Sequence, residues 1–172
     1  MGLPANVGAV SEPREILDWT TFGEASRSLA QSIADDGFEP DMILAIARGG
    51  LLVAGALGYA LGIKNLYTMN VEFYTGIDER LDVPMILPPV PDISLLADAK
   101  VLIADDVADT GNTLKLINSF CEGKVGELRT AVLYEKPWNI VPVQYIWKKT
   151  DKWIEFPWSS QPPIAGHGAA EA

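Results

Sequence analysis

The chain has 172 residues, of which 48% are hydrophobic and 21% charged; this excludes a disordered, collagen-like or coiled-coil chain and suits one domain with its own core. Thirteen Lys and Arg against twenty-three Asp and Glu leave a formal charge of -10, which disfavours general binding to nucleic-acid backbones or anionic lipid. An anionic ligand must then be held by local devices: backbone N–H groups, a few placed cations, or a metal.

A single cysteine leaves no intramolecular disulfide and no cysteine-based zinc site. The opening MGLPANVGAV lacks the basic region of a signal peptide. The longest uncharged apolar stretch, 49–63, falls short of the ~20 residues of a spanning helix and is broken by Gly49, Gly50, Gly55, Gly58 and Gly62. These features predict a cytoplasmic protein.

Residues 1–12 are small and aperiodic, and are expected to be a flexible leader to a single domain over 13–158. The spacing of Phe22, Ala25, Leu29, Ala30 and Ile33 predicts a helix over 19–34, with Asp18 and Thr20 as cap candidates. The run 42–47 (MILAIA) predicts a short buried strand ending at Arg48-Gly49-Gly50, and 51–61 a small-residue helix stopped by Gly62. Alternation of Tyr67, Met69, Val71 and Phe73 predicts a strand over 65–74. Residues 75–99 open polar and turn proline-rich, with little regular pattern, and are expected to form a long functional loop or a disordered segment. Beyond it, 101–104 reads as a strand, 113–121 as a helix, and 127–134 and 143–148 as further strands. The tail 159–172 is again aperiodic and expected to be flexible. Strands alternating with helices favour an α/β fold with a mostly parallel sheet flanked by helices.

The most informative segment is VLIADDVADTGNTL, residues 101–114. An apolar run without alternation is what a parallel strand covered on both faces requires, and it leads into Asp105 and Asp106. The turn Asp109-Thr110-Gly111-Asn112-Thr113 then opens a helix. In an open α/β sheet, ligands bind at the carboxyl ends of strands, where this turn must lie. Successive N–H groups at a helix start suit a phosphate monoester, and the hydroxyls of Thr110 and Thr113 can donate to it. Asp105 and Asp106 would repel that phosphate, and suit instead sugar hydroxyls, a divalent cation or both. A strand ending in two aspartates is by itself as often a helix cap or a solvated pair; the whole string is far less common. Neither GxxxxGK[ST] nor GxGxxG is present.

This string resembles the phosphoribosyl-diphosphate (PRPP) binding motif of type I phosphoribosyltransferases: an apolar run, two acids, two variable residues, then Asp-Thr-Gly-x-Thr. The resemblance implies that Asp105 and Asp106 hold the ribose hydroxyls with Mg2+ nearby. It gives the 5'-phosphate to Thr110, Gly111, Asn112 and Thr113, and makes Asp109 a base facing a nitrogen of the incoming purine. Beside that motif, Arg48, Gly49 and Gly50 resemble the family's pyrophosphate loop, where a cis peptide is to be sought at Ala47–Arg48.

The YEKP segment at 134–137 resembles the 6-oxopurine branch and makes Lys136 the donor to the purine's exocyclic oxygen. DKWIEFPW, 151–158, resembles the Trp-Ile-Glu-x-Pro-Trp of bacterial xanthine–guanine phosphoribosyltransferases. Trp153 would stack on the base, backbone groups around Ile154 would read position 2, and Trp158 would pack. The expected fold thus gains a flexible lid over 73–91, carrying Tyr74 and Arg80, and a small C-terminal hood over about 136–158. Phe73 stands where relatives usually carry a serine, which removes one lid hydrogen bond.

The resemblance implies a Mg2+-dependent transfer of the 5-phosphoribosyl group from PRPP to hypoxanthine, guanine or xanthine, in a homodimer or homotetramer. The alternatives are transfer to adenine or a pyrimidine, which Lys136 and Trp153 oppose, and a non-catalytic PRPP sensor that binds nucleic acid, which the acidic charge opposes. A phosphatase-like reading would need an Asp-x-Asp nucleophile that Asp105-Asp106 does not supply. Cys121 and His167 have no site role in this reading.

Overall fold

The computed structural model describes residues 13–74, 83–87 and 97–165. Within it, apolar runs become strands and the segments between them mostly become helices. The elements in order are β1 (Glu15–Ile16), α1 (Trp19–Asp35), β2 (Met42–Ala47), α2 (Gly49–Leu61), β3 (Leu66–Tyr74), β4 (Val83–Leu87), β5 (Lys100–Ala108), α3 (Asn112–Cys121), β6 (Glu127–Glu135), β7 (Tyr145–Lys149) and β8 (Ile154–Glu155).

Six strands form one sheet in the order β4-β3-β2-β5-β6-β7. All neighbours are parallel except β3 and β4. Both faces are covered, which explains why β2 reads as an unbroken apolar run. Ile43 and Ala45 pack towards α1 and α2, with Leu29, Ile33, Val53 and Leu57. Met42, Leu44 and Ile46 pack on the other side, with Leu114, Ile117 and Cys121 of α3. Period-two alternation is therefore present, but both classes of position are apolar. Val141 and Val143, on the connection from β6 to β7, extend the α3 layer.

The topology locates the site. From β2 the chain moves outwards to β3, then returns across to β5 on the other side of β2. The loops after β2 and β5 leave in opposite directions, and the gap between them is the crevice that such a sheet offers to ligands.

Three features differ from the sequence reading. β5 runs to Ala108 rather than ending at Ala104, so Asp105 and Asp106 lie within the strand, with Asp105 paired to Val132 of β6. A strand, β4, lies inside the proline-rich segment. Its Pro84 is tolerated because β4 is antiparallel and at the sheet edge, where a missing N–H costs no inner ladder bond. β7 falls within the stretch assigned to the hood yet pairs with β6 in the main sheet. The residues after Lys149 meet the N-terminal segment in a second, two-stranded sheet, β1 with β8, in which Glu15 pairs with Ile154. Among the described residues, no helix is long and apolar enough to cross a membrane.

Candidate functional site

Two helices begin at the crevice, and neither is capped by a side chain. α2 starts after Arg48 and α3 after Gly111, both without a side-chain cap hydrogen bond. The first N–H groups of a helix have no intrahelical partner, so these two termini present free donors and the positive ends of two dipoles. They face a common cavity of about 460 Å³, lined by Arg48 and Gly49 from one side and by Asp105 through Leu114 from the other. Among the described residues, the polar side chain turned back on the α3 start is Thr110, whose Oγ1 accepts from Asn112 N at 3.4 Å.

The glycines are there for packing as much as for ligand access. A Cβ on Gly49 would lie 1.9 Å from Asp106 Oδ2, and one on Gly50 2.4 Å from the Ala104 carbonyl. No side chain fits between the start of α2 and β5. Gly111 takes φ +85°, and a Cβ there would also meet Asn139 Oδ1 at 2.4 Å, so both its conformation and its surroundings require glycine. The Ala47–Arg48 peptide is cis, where the sequence reading looked for it.

Asp105 and Asp106 form the acidic floor. Asp105 Oδ1 accepts from the Asp106 amide at 2.9 Å. Burial first, and then the adjacent charge of Asp106, hold the Asp105 carboxyl well above the usual carboxylate range. Burial also raises Asp106, against hydrogen bonds that lower it, including one from the Trp158 side chain. Two hard carboxylates crowded in a low-dielectric crevice suit sugar hydroxyls. They equally suit a magnesium ion, which is usually held by one or two carboxylates together with substrate phosphates. Among the described residues no group of three or more His, Cys, Asp and Glu is placed to hold a metal, so such an ion would depend on this pair and on oxygens brought by the substrate.

Of the ten residues expected to bind PRPP, all but Gly50 line the cavity; Gly50 is packed beneath it. The base-side residues do not line it. Lys136 is buried, its amide donates to the Ala108 carbonyl at 2.9 Å, and its Nζ donates to the Lys152 carbonyl. Lys136 thereby ties the end of β5 to the segment that carries Trp153. Trp153 is 71% exposed, with its ring free of the core, whereas Ile154 is buried. The bonds to β1 use the carbonyls of Trp153 and Glu155, which directs the Ile154 carbonyl to the opposite side of β8. Trp158 stacks on Phe156 with ring centroids 4.9 Å apart and meets Phe22 edge-on at 5.4 Å, a packing position that also reaches Asp106. Of the two lid residues, Arg80 lies outside the described residues, and so does the side chain of Tyr74.

The sequence reading missed one participant. Trp138 Nε1 donates to Asp109 Oδ1 at 2.7 Å, and the Trp138 ring lies 5.5 Å from Lys136 Nζ. The signal was an aromatic residue two positions beyond Lys136. Its connection to Asp109 spans 29 residues and carries no local sequence mark.

Comparison with known proteins gives the same direction. The model of the phosphoribosyl transferase domain matches residues 13–163. A xanthine-guanine phosphoribosyltransferase of Cereibacter sphaeroides is 31% identical over 150 residues, covering 83% of this chain and 84% of that protein. One from a Ruegeria species is 29% identical over 154 residues, covering 83% of each. Among solved structures, a purine phosphoribosyltransferase from Pyrococcus horikoshii superposes with a TM-score of 0.77 at 36% identity, covering 89% of this chain and 99% of the other. The chain belongs to the phosphoribosyl transferase domain family.

Proposed function

We propose, with that membership as the premise, that the protein transfers the 5-phosphoribosyl group of PRPP to a 6-oxopurine, releasing pyrophosphate and a nucleoside 5'-monophosphate. The observation that carries the proposal is the pair of helix starts, free of side-chain caps, that face one cavity across two half-buried carboxylates. A ligand with an anionic group at each end and a diol between them matches that arrangement.

The 5'-phosphate takes the N–H groups at the start of α3 and the hydroxyls of Thr110 and Thr113. The pyrophosphate lies at the start of α2, with Arg48 beside it. Asp105 and Asp106 accept from the ribose hydroxyls. Mg2+, when bound, would rest on these carboxylates and on substrate oxygens and offset the pyrophosphate charge. A purine ring nitrogen bonds to the ribosyl carbon as the bond to pyrophosphate breaks, its electron pair leaving with pyrophosphate. The proton shed by the base passes to Asp109, whose Oδ2 is the free oxygen because Oδ1 is held by Trp138. Lys136 meets the exocyclic oxygen and Trp153 covers the ring face. Charge-placed donors and fixed geometry supply the catalysis, because the ribosyl carbon becomes cation-like as the leaving group departs. Exposed Leu51, Tyr59, Leu66 and Tyr67, on α2 and β3, support a homodimer or larger homo-oligomer, and a salvage reaction on soluble substrates suits the cytoplasm.

The test is pyrophosphate release with PRPP and Mg2+ across hypoxanthine, guanine, xanthine, adenine, uracil and orotate. Turnover confined to the 6-oxopurines is expected. Turnover on adenine or a pyrimidine instead would overturn the assignment of Lys136, and silence across the panel would overturn the transferase reading.

A further inference from the structure

We infer that Trp138 is a positioning residue of the base site, binding Asp109 and Lys136 to one indole so that the proton acceptor and the oxygen donor approach the purine in a fixed relation. The inference rests on the 6-oxopurine reading and adds to it a residue outside the motifs that suggested it.

Trp138 is half exposed and is absent from both core clusters, so burial of the ring does not account for its placement. Its polar atom is spent on a single acceptor, Asp109 Oδ1, at 2.7 Å. Asp109 is itself exposed, at the mouth of the turn. An exposed aspartate turns freely about its side-chain bonds, and an indole donor removes that freedom by holding one oxygen and presenting the other. The ring then faces the Lys136 ammonium at 5.5 Å, within the distance at which a cation is attracted to an aromatic face. Lys136 Nζ is held from another side by the Lys152 carbonyl.

The backbone gives the indole a rigid base. Three contacts join the segment bearing Trp138 to the phosphate turn: Lys136 N to the Ala108 carbonyl at 2.9 Å, Ile140 N to the Thr110 carbonyl at 3.2 Å, and Asn139 against Gly111. Asn139 further braces the segment internally, donating to Glu135 Oε1 and to the Val141 carbonyl. The indole thus moves with the turn that holds Asp109, and its reach to the carboxylate does not depend on a mobile loop.

A double-mutant cycle tests this directly. Trp138→Phe keeps a ring beside Lys136 and deletes the N–H. It is expected to lower kcat on the preferred 6-oxopurine about tenfold, the scale of a hydrogen bond to a charged group, with KM for PRPP changed less than about twofold. In the Asp109→Asn background the same change is expected to lower kcat less than about twofold, because the group it acts through is gone. Trp138→Ala, which also removes the ring, is expected to raise KM for the base in addition. An unchanged or raised kcat in Trp138→Phe overturns the inference, as does full additivity with Asp109→Asn, which would mark a merely structural residue. Wild type serves as the control for the underlying reading: if it turns over no 6-oxopurine, that reading fails and takes this inference with it, whereas an active wild type with an indifferent Trp138→Phe defeats this inference alone.

Discussion

The start of α1 and the starts of α2 and α3 solve the same problem in opposite ways. α1 carries its own acceptor: Asp18 Oδ1 takes the Thr21 amide at 2.7 Å. α2 carries none and α3 only the long contact from Asn112 N to Thr110 Oγ1 at 3.4 Å, and their first turns open onto the cavity between β2 and β5. An unfilled helix start is a cost to folding that a bound anion removes. Under the proposed function the difference separates a terminus that serves the fold from two that serve a ligand, and it predicts which substitutions will affect stability and which will affect binding.

The largest effect is expected from Gly49→Ala. Its Cβ would sit 1.9 Å from Asp106 Oδ2, so the carboxylate or the start of α2 must move. Misplacement of this order costs about a hundredfold in catalysis, and kcat/KM for PRPP should fall accordingly while the circular dichroism spectrum stays native. A variant with wild-type kcat/KM would show that the helix start and the carboxylate do not form one site.

A smaller effect should appear in thermal melts with Mg2+ and pyrophosphate. A ligand at about a hundred times its Kd adds about 2.7 kcal/mol, which for a chain of this size raises Tm by about 5–10 °C. Wild type and Asp18→Ala are expected to shift equally, since the α1 cap lies outside the cavity, and Gly49→Ala to shift much less. An equal shift in Gly49→Ala would place the anion elsewhere.

The same contrast explains how much could be read beforehand. β2, α1, α2, α3 and β6 follow from short-range pattern, and the phosphate turn is legible because its chemistry is backbone geometry written in consecutive residues. In the sequence Gly49, Gly50 and Gly111 are marked only by their likeness to a pyrophosphate loop and a phosphate turn. Their close packing on Asp106, Ala104 and Asn139 was not legible, because the partners lie on other elements. β1 and β8 are two residues each and exist only through the pairing of Glu15 with Ile154, which no local pattern encodes. β4 was hidden by Pro84, whose position at the sheet edge is a property of the assembled sheet. Trp138 shows the same limit on the base side, where side chains from distant segments meet.

The smallest effect is expected at Asp18, and its pH dependence tests whether the cap acts as a charge acceptor. The backbone hydrogen bond from Thr21 lowers the Asp18 carboxyl below its ordinary 3.8. A depressed folded pKa means that the contribution is fully present above the unfolded value and is lost as pH falls through the folded one. Asp18→Ala should therefore melt slightly below wild type at neutral pH, with kcat and KM unchanged, and the two curves should converge as pH drops below 3.8. Asp18→Asn, which accepts from Thr21 without a charge, should recover only the small part of the loss that does not depend on the charge, and its curve should keep a constant offset from Asp18→Ala as pH falls. A gap between wild type and Asp18→Ala that persists undiminished in acid would mean that Asp18 stabilises α1 as a neutral acceptor of the Thr21 amide and not through its charge. The contrast with α2 and α3 would then rest on the hydrogen bond and not on the ionised carboxylate.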